Sequence, residues 1–153
     1  MPSVSPADPV RSILVATDGS DVASRAIERA LTVAERTGAS VHVLTVVDTD
    51  GAPLRFDIES VHDLEDARER LVEDVVSAFD EHTVDVTGAV LRGTPARAIV
   101  TYAEENDVDL IVIGRTGYGG VTETLLGGTA DRVVRTASVP VVVVPDLGGG
   151  EDE

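Results

Sequence analysis

The sequence contains no cysteine and no lysine, and each absence removes whole classes of chemistry. Without cysteine the chain forms no disulfide, offers no thiolate nucleophile and binds no metal through sulfur. Without lysine it lacks the phosphate-binding residue of a P-loop, as well as the lysine that a phospho-accepting receiver domain needs after its last strand. No apolar run reaches the roughly 20 residues that a membrane-spanning helix requires, so a membrane partner is not expected.

The charge of the 153-residue chain is one-sided, with 28 acidic residues against 12 arginines and a formal net charge of −16. Such a surface repels phosphate backbones, so nucleic acid is not an expected partner. Solubility is one explanation of the excess acid. We favour a second, adaptation to high salt as in a halophile, in which carboxylates hold water and lysine is disfavoured.

The length suits one domain with a substantial core, which we place at residues 11–145. The first ten residues have neither the basic start nor the apolar stretch of a secretory signal peptide, so we expect a cytoplasmic protein. We expect residues 1–10 and the acidic tail at 146–153 to be disordered.

Short apolar runs alternate with helical patterns along this domain. The runs predict five strands, at residues 12–17, 40–48, 84–93, 108–114 and 138–145. Apolar residues spaced by three and four predict four helices, at about residues 23–34, 64–78, 94–106 and 129–137. Thr94 is the expected N-cap of the third helix, with Pro95 at its first position, and residues 48–60 form a longer loop.

The predicted strands are apolar on both faces, which is typical of a parallel sheet covered by helices on both sides. We therefore expect an α/β, Rossmann-like three-layer sandwich with strand order 3-2-1-4-5, and 2-1-3-4-5 as the alternative. In the first order, strands 1 and 4 are neighbours at the point where the order reverses. Ligands bind there, at the carboxyl ends of the strands, so the loops after strands 1 and 4 are expected to form a site.

The loop after strand 4 holds six glycines within fifteen residues. Gly114 and Gly117 allow a tight turn. Gly127 and Gly128 stand just ahead of the last helix, whose unpaired N–H groups and dipole attract anions. Thr129 would cap this helix or offer its hydroxyl to a phosphate oxygen. The alternative is a glycine-rich loop without a ligand.

Individual polar residues have a functional and a purely structural interpretation. Asp18 follows strand 1, where its carboxylate would accept ribose hydroxyls or support a metal-bound water, or else form the turn or cap helix 1. Arg115 is the one cation close to the glycine segment. His42, His62 and His82 have no metal-ligand spacing, so we expect ordinary histidines and no metal site.

The sequence resembles the universal stress protein family over roughly residues 10–145. The nucleotide-binding branch of that family has glycine, two residues, glycine, nine residues, glycine, and then serine or threonine. Gly114, Gly117 and Gly127 fall at these spacings, and Gly128 stands where the branch has serine or threonine. The stretch "ILVATDGSDVASRAIERA" resembles the family's first strand and helix, with Asp18 at the family's acidic position.

The resemblance implies the adenine nucleotide alpha hydrolase-like form of the fold. It also implies ATP, or ADP or AMP, with or without Mg²⁺, in the crevice between strands 1 and 4. The implied site runs from the base to the phosphates: Ala16, Thr17 and Asp18 at the adenine and ribose, Val46 at the base, Gly114, Arg115 and Gly117 along the ribose and phosphates, and Gly127, Gly128, Thr129 and Ala130 at the phosphates.

The resemblance further implies a role in stress response or signalling as a homodimer that pairs residues 138–145 edge to edge. An apolar edge strand of this kind would aggregate unless covered. The sequence holds no paired acid and base and no activated nucleophile, so we expect at most weak ATP hydrolysis. The alternatives are a nucleotide-free dimeric interaction protein of the same fold, and a slow ATPase or adenylyl-transfer enzyme.

Overall fold

The computed structural model describes residues 9–48, 58–79, 83–116 and 126–145. Helices and strands alternate along them in nine elements: β1 (Ser12–Ala16), α1 (Asp21–Thr37), β2 (Ser40–Asp48), α2 (Ile58–Ala78), β3 (Val86–Gly93), α3 (Pro95–Glu105), β4 (Leu110–Gly114), α4 (Gly128–Thr136) and β5 (Val141–Val144). None of the helices in these ranges is long and apolar enough to cross a membrane.

The five strands form one parallel sheet in the order β3-β2-β1-β4-β5. The expected order 3-2-1-4-5 is confirmed, and the alternative 2-1-3-4-5 is wrong. β1 lies between β2 and β4, and the crossovers on either side of it lead in opposite directions across the sheet. The carboxyl ends of β1 and β4 therefore open a crevice at the reversal point.

Successive residues of the central strands pack on opposite faces of the sheet, so both faces are buried. Ile13 and Val15 pack with the alanines of α1, whereas Leu14 packs on the other face with Ile99 of α3 and Val133 of α4. Two apolar clusters, one on each face, thus hold the three layers together and fix the strand ends that form the crevice.

Helix α1 has a well-defined start at the carboxyl end of β1. The Ser20 hydroxyl accepts a hydrogen bond from the Ala23 N–H at 3.2 Å, which is the N-cap interaction. The helix ends at Gly38, whose φ of 77° is the left-handed conformation that glycine adopts without strain. The cap therefore belongs to Ser20 and not to Asp18.

Helix α2 begins at Ile58, so the loop predicted for residues 48–60 is too long at its C-terminal end. The helix packs closely on β3 because Gly88 leaves room for Val72. A Cβ added to Gly88 would lie 2.2 Å from Cγ1 of Val72. The prediction missed the start because the first turn of α2 lies ahead of the regular apolar spacing on which it relied.

Other element ends differ from the prediction by a few residues. β5 begins at Val141 instead of residue 138, although the Pro140 carbonyl already accepts a hydrogen bond from Ile111 of β4. Thr94 and Pro95 hold the predicted positions at the start of α3, but the Thr94 side chain makes no capping hydrogen bond. Val10 packs against the core instead of belonging to the terminal segment. Residues 1–8 and 146–153, predicted to be disordered, lie outside the described residues.

Candidate functional site

A cavity of about 430 Å³ lies at the carboxyl ends of β1, β2 and β4, at the reversal point of the sheet. Every predicted site residue that the structure describes lines it: Ala16, Thr17, Asp18, Val46, Gly114, Arg115, Gly127, Gly128, Thr129 and Ala130. Gly117, the remaining member of the predicted set, lies outside the described residues. The turn after β1 and the described ends of the glycine-rich segment, on either side of residues 117–125, therefore face one common space.

The turn after β1 is held by its own side chains. The Thr17 N–H donates to the Leu44 carbonyl at 2.9 Å, which extends the pairing of β1 with β2 by one residue. The Thr17 hydroxyl accepts from the Gly19 N–H at 3.1 Å, and Oδ1 of Asp18 accepts from the Ser20 N–H at 2.9 Å. Asp18 thus forms the turn, as the structural interpretation expects, and it also lines the cavity.

The chain returns to the sheet just before α4. The Arg115 N–H donates to the Val144 carbonyl, and the Gly127 N–H donates to the Arg115 carbonyl, both at 2.8 Å. A Cβ on Gly127 would lie 3.3 Å from the Arg115 carbonyl oxygen and from Cα of Thr116. Glycine is needed here for close approach of two backbone segments. The Gly127 N–H is consequently used within the protein, and its predicted role as an anion donor is wrong.

Helix α4 begins with backbone donors that the described part of the chain does not use. Its N-cap is Gly127, which has no side chain to cap with, and the Gly127 carbonyl accepts from the Asp131 N–H. No hydrogen bond within the described residues involves the N–H groups of Gly128, Thr129 or Ala130. These three N–H groups, the α4 amides, stand at the positive end of the helix dipole and beside the cavity.

Two details of this helix start differ from the prediction. Gly128 is the first residue of α4 instead of preceding it, and nothing lies within 4 Å of a Cβ added there. Thr129 is the second helical residue and does not cap the helix, because Gly127 is the N-cap. A side chain at residue 128 therefore has open space beside the amides.

Several other residues that line the cavity were not among the predicted site residues. They comprise apolar floor residues, a strand end, a helix start and a cation: Ala23, Leu44, Ile99, Ile113, Thr116, Asp48, Pro95 and Arg68. Leu44 and Asp48 lie two residues either side of Val46 on β2, so the alternation of a strand would have found them. Arg68 lies on α2, and one Nη of its guanidinium donates to the Asp18 carbonyl at 3.2 Å.

The charges around the cavity are mixed. Asp18 and Asp48 face it together with Arg68 and Arg115, and the Arg115 Nε is buried without a hydrogen-bond partner in the described structure. The described residues contain no group of three or more histidine, cysteine, aspartate or glutamate side chains that would hold a metal ion. A Mg²⁺ ion at this site would depend on oxygen ligands from a bound phosphate.

A second cavity of about 440 Å³ adjoins the first. It shares Asp48, Pro95, Gly128 and Thr129 with the first cavity and extends to Arg132. The starts of α3 and α4 both border it, so the open space continues beyond the α4 amides towards Arg132, with Asp48 as an opposing charge.

His42, the histidine whose side chain the structure describes, packs against Tyr102 away from the cavity. Nδ1 of His42 lies 2.8 Å from the Tyr102 hydroxyl, and the two rings meet edge to face at 5.4 Å. Burial lowers the pKa of His42 and raises the pKa of Tyr102. Neither residue lines the cavity. His62 is described only by its backbone, in α2, and His82 lies outside the described residues.

A family profile and individual relatives both relate the chain to universal stress proteins. Residues 9–145 match the profile of the Universal stress protein family. A universal stress protein of Methanocaldococcus jannaschii is 37% identical over 139 residues, which are 88% of this chain and 81% of that protein.

Solved structures extend the likeness to three dimensions. A universal stress protein from Lactobacillus plantarum has a TM-score of 0.78 at 27% identity, covering 90% of this chain and 99% of its own. The universal stress protein from Archaeoglobus fulgidus in complex with dAMP has a TM-score of 0.66 at 26% identity, covering 88% and 97%. The likeness therefore extends over most of the chain.

Proposed function

This chain belongs to the universal stress protein family, and from that premise we propose that it binds an adenine nucleotide in the cavity at the carboxyl ends of β1 and β4. The observation that carries the proposal is the set of three α4 amides that no other described residue engages. Backbone donors at a helix start hold phosphate groups well, since the helix dipole adds to the hydrogen bonds. The relative from Archaeoglobus fulgidus, solved with dAMP, supports this class of ligand.

The two sides of the cavity suit the two ends of a nucleotide. Apolar side chains, among them Leu44, Val46 and Ile113, form a floor that matches a purine, and Asp18 with Thr17 would face the ribose. The phosphates would lie at the α4 amides with Arg115 beside them. The volume of about 430 Å³ falls within the range of small-molecule sites.

The absence of a hydroxyl at Gly128 sets the expected strength of the phosphate contact. A backbone N–H remains there, but a serine or threonine hydroxyl would add a hydrogen bond of about 1 kcal/mol, or roughly fivefold in affinity. We expect the hydroxyl of Thr129, which also lines the cavity, to compensate in part. We therefore propose measurable but modest affinity for ATP, ADP or AMP.

The net charge of −16 opposes an anionic ligand, and salt screens that repulsion. Mg²⁺ bound to the phosphates reduces it further. We propose that the acidic, lysine-free surface is an adaptation to high salt, so both the thermal stability and the ATP affinity should rise as salt is added. A melting temperature that falls with salt would contradict this part of the proposal.

We also propose that the protein acts in stress response or signalling as a homodimer through residues 138–145. β5 is an edge strand, and the exposed fraction of Val142 within it is 36%. Pairing with a second copy would cover this edge. Analytical ultracentrifugation of Val142→Glu against the wild type in high salt tests this, and a wild-type monomer would contradict it.

Calorimetry with ATP, ADP and AMP, with and without Mg²⁺ and at low and high salt, tests the nucleotide site. Saturable heat with at least one nucleotide in high salt is the expected result. No heat under any condition would reject the site and favour a nucleotide-free interaction protein of the same fold. Rapid turnover of ATP during the titration would favour an enzyme instead.

A further inference from the structure

Helix α2 contributes one positively charged side chain, Arg68, to the candidate site. Of the α2 side chains that the structure describes, only Arg68 lines the cavity. Its Nη1 donates a partly buried hydrogen bond to the Asp18 carbonyl at 3.2 Å, which joins residues fifty positions apart in the sequence. The guanidinium is thereby tied to the turn after β1, on the side of the cavity where the ribose and base are proposed to lie.

The position of Arg68 is fixed by contacts on both sides of it along the helix. One turn later, Val72 fills the space above Gly88 of β3. Three residues earlier, Glu65 forms an ion pair with Arg92 of β3. The helix is anchored to the sheet at these two points, and the hydrogen bond to the Asp18 carbonyl orients the guanidinium before any ligand arrives.

Arg68 and the α4 amides line the cavity from helices on opposite faces of the sheet. Helices α1 and α2 cover one face of the sheet, with α2 over β2 and β3, whereas α4 lies on the other face beside β5. Arg115, next to the α4 amides, is the cation placed for phosphate. Arg68 is therefore placed for a different part of the same ligand.

We propose that Arg68 is a specificity-determining residue that recognises the nucleoside part of the nucleotide and does not pair with its phosphates. A guanidinium is planar and delocalised, so it stacks on a purine face in a way that a lysine ammonium does not. It also has five N–H donors, and the Asp18 carbonyl occupies one of them. This inference rests on the nucleotide site proposed above.

Calorimetric titration of AMP, ADP and ATP into the wild type, Arg68→Met and Arg68→Lys, at one high salt concentration, tests the assignment. For Arg68→Met we expect affinity to fall about tenfold, by the same factor for all three nucleotides. The affinity of Arg68→Lys should fall almost as far, because lysine keeps the positive charge but lacks the planar guanidinium. Arg70→Met, which removes an exposed arginine two residues along the same helix, should bind like the wild type.

Two results would overturn the assignment while leaving the nucleotide site intact. A loss that grows from AMP to ATP and is restored by lysine would make Arg68 a counter-charge for phosphate. Unchanged affinity in both Arg68 variants would make its bond to Asp18 purely structural. Melting curves identify a variant that fails to fold. If Arg68→Met is such a variant, the test rests on Arg68→Lys, which keeps a donor for the Asp18 carbonyl. A wild type that binds none of the three nucleotides would instead reject the proposed function.

Discussion

The turn after β1 and the start of α4 face the same cavity, but they use their backbone N–H groups in opposite ways. In the turn, the Gly19 and Ser20 N–H groups donate to the side chains of Thr17 and Asp18. At the start of α4, the described residues provide no acceptor for three successive N–H groups. The N–H groups of the turn are thus used within the protein, and we propose that those at the start of α4 are used by a ligand.

This difference separates stability from binding. Unpaired N–H groups add nothing to the stability of the fold, and their value appears only when an anion accepts from them. A change in the turn should therefore lower the free energy of unfolding, whereas a change in the α4 amides should lower nucleotide affinity. Three substitutions test this separation, and the pH dependence of stability at His42 adds a prediction outside the site.

Gly128→Pro should have the largest effect, and on affinity alone. Proline at the first position of a helix removes an N–H without disturbing the helix, and Gly127, with φ −65° and ψ 161°, already has the extended conformation that precedes proline. Losing one hydrogen bond to a charged phosphate should cost about 2 kcal/mol, roughly thirtyfold in ATP affinity by calorimetry.

Gly128→Ala is the matched control, since it keeps the N–H and its Cβ would meet nothing within 4 Å. It should bind within about twofold of the wild type. If the Gly128→Pro and Gly128→Ala variants bind ATP equally well, the N–H of residue 128 is not a phosphate donor.

Ser20→Ala should affect stability and leave affinity almost unchanged. It removes the N-cap hydrogen bond to the Ala23 N–H, which should lower the free energy of unfolding by about 1 kcal/mol in urea melts. Ser24→Ala, at an exposed position in the first turn of the same helix, is the control and should change little. Equal destabilisation by both would mean that the cap contributes nothing.

Gly128→Ser should strengthen binding by a smaller amount. The position is open, so a hydroxyl would stand beside the α4 amides and add about 0.5–1 kcal/mol, a two- to fivefold gain in ATP affinity. AMP should gain no more than ATP does. Weaker binding than in Gly128→Ala would show that the phosphates do not pass this residue.

The smallest effect concerns His42, which lies outside the site. Burial lowers its pKa below 6.5, so the unfolded chain binds its proton more readily than the folded one. By linkage, the contribution to stability is present above pH 6.5 and is lost as the pH falls towards the folded-state pKa. Urea melts at pH 7.5 and 6 should show this loss, and His42→Phe should reduce it; an equal loss in the variant would assign it to other groups.

The order of the strands and most of the cavity lining follow from local signals in the sequence. Apolar runs, cap residues and a glycine-rich loop mark where each element ends, and a parallel sheet brings those ends together. Ala16, Thr17 and Val46, which the resemblance to the family assigns to the nucleotide, lie at such strand ends and line the cavity.

The remaining features depend on contacts between distant segments. Nothing local singles out Arg68 from the other charges of α2, because its partner is fifty residues away. Likewise, the use of the Gly127 N–H by the Arg115 carbonyl depends on where the chain returns after the loop, which residue spacing does not define. Of the four residues that the resemblance assigns to the phosphates, Gly127 is therefore the one whose N–H is already used within the described part of the protein.

The most direct test is an amide NMR titration of the ¹⁵N-labelled protein with Mg²⁺-ATP in high salt. We predict that the amide protons of Gly128, Thr129 and Ala130 shift downfield and exchange more slowly with solvent as ATP binds. Those of Gly19 and Ser20, which already have acceptors, should shift much less. Saturable ATP binding that leaves the three α4 amides unchanged would contradict the account.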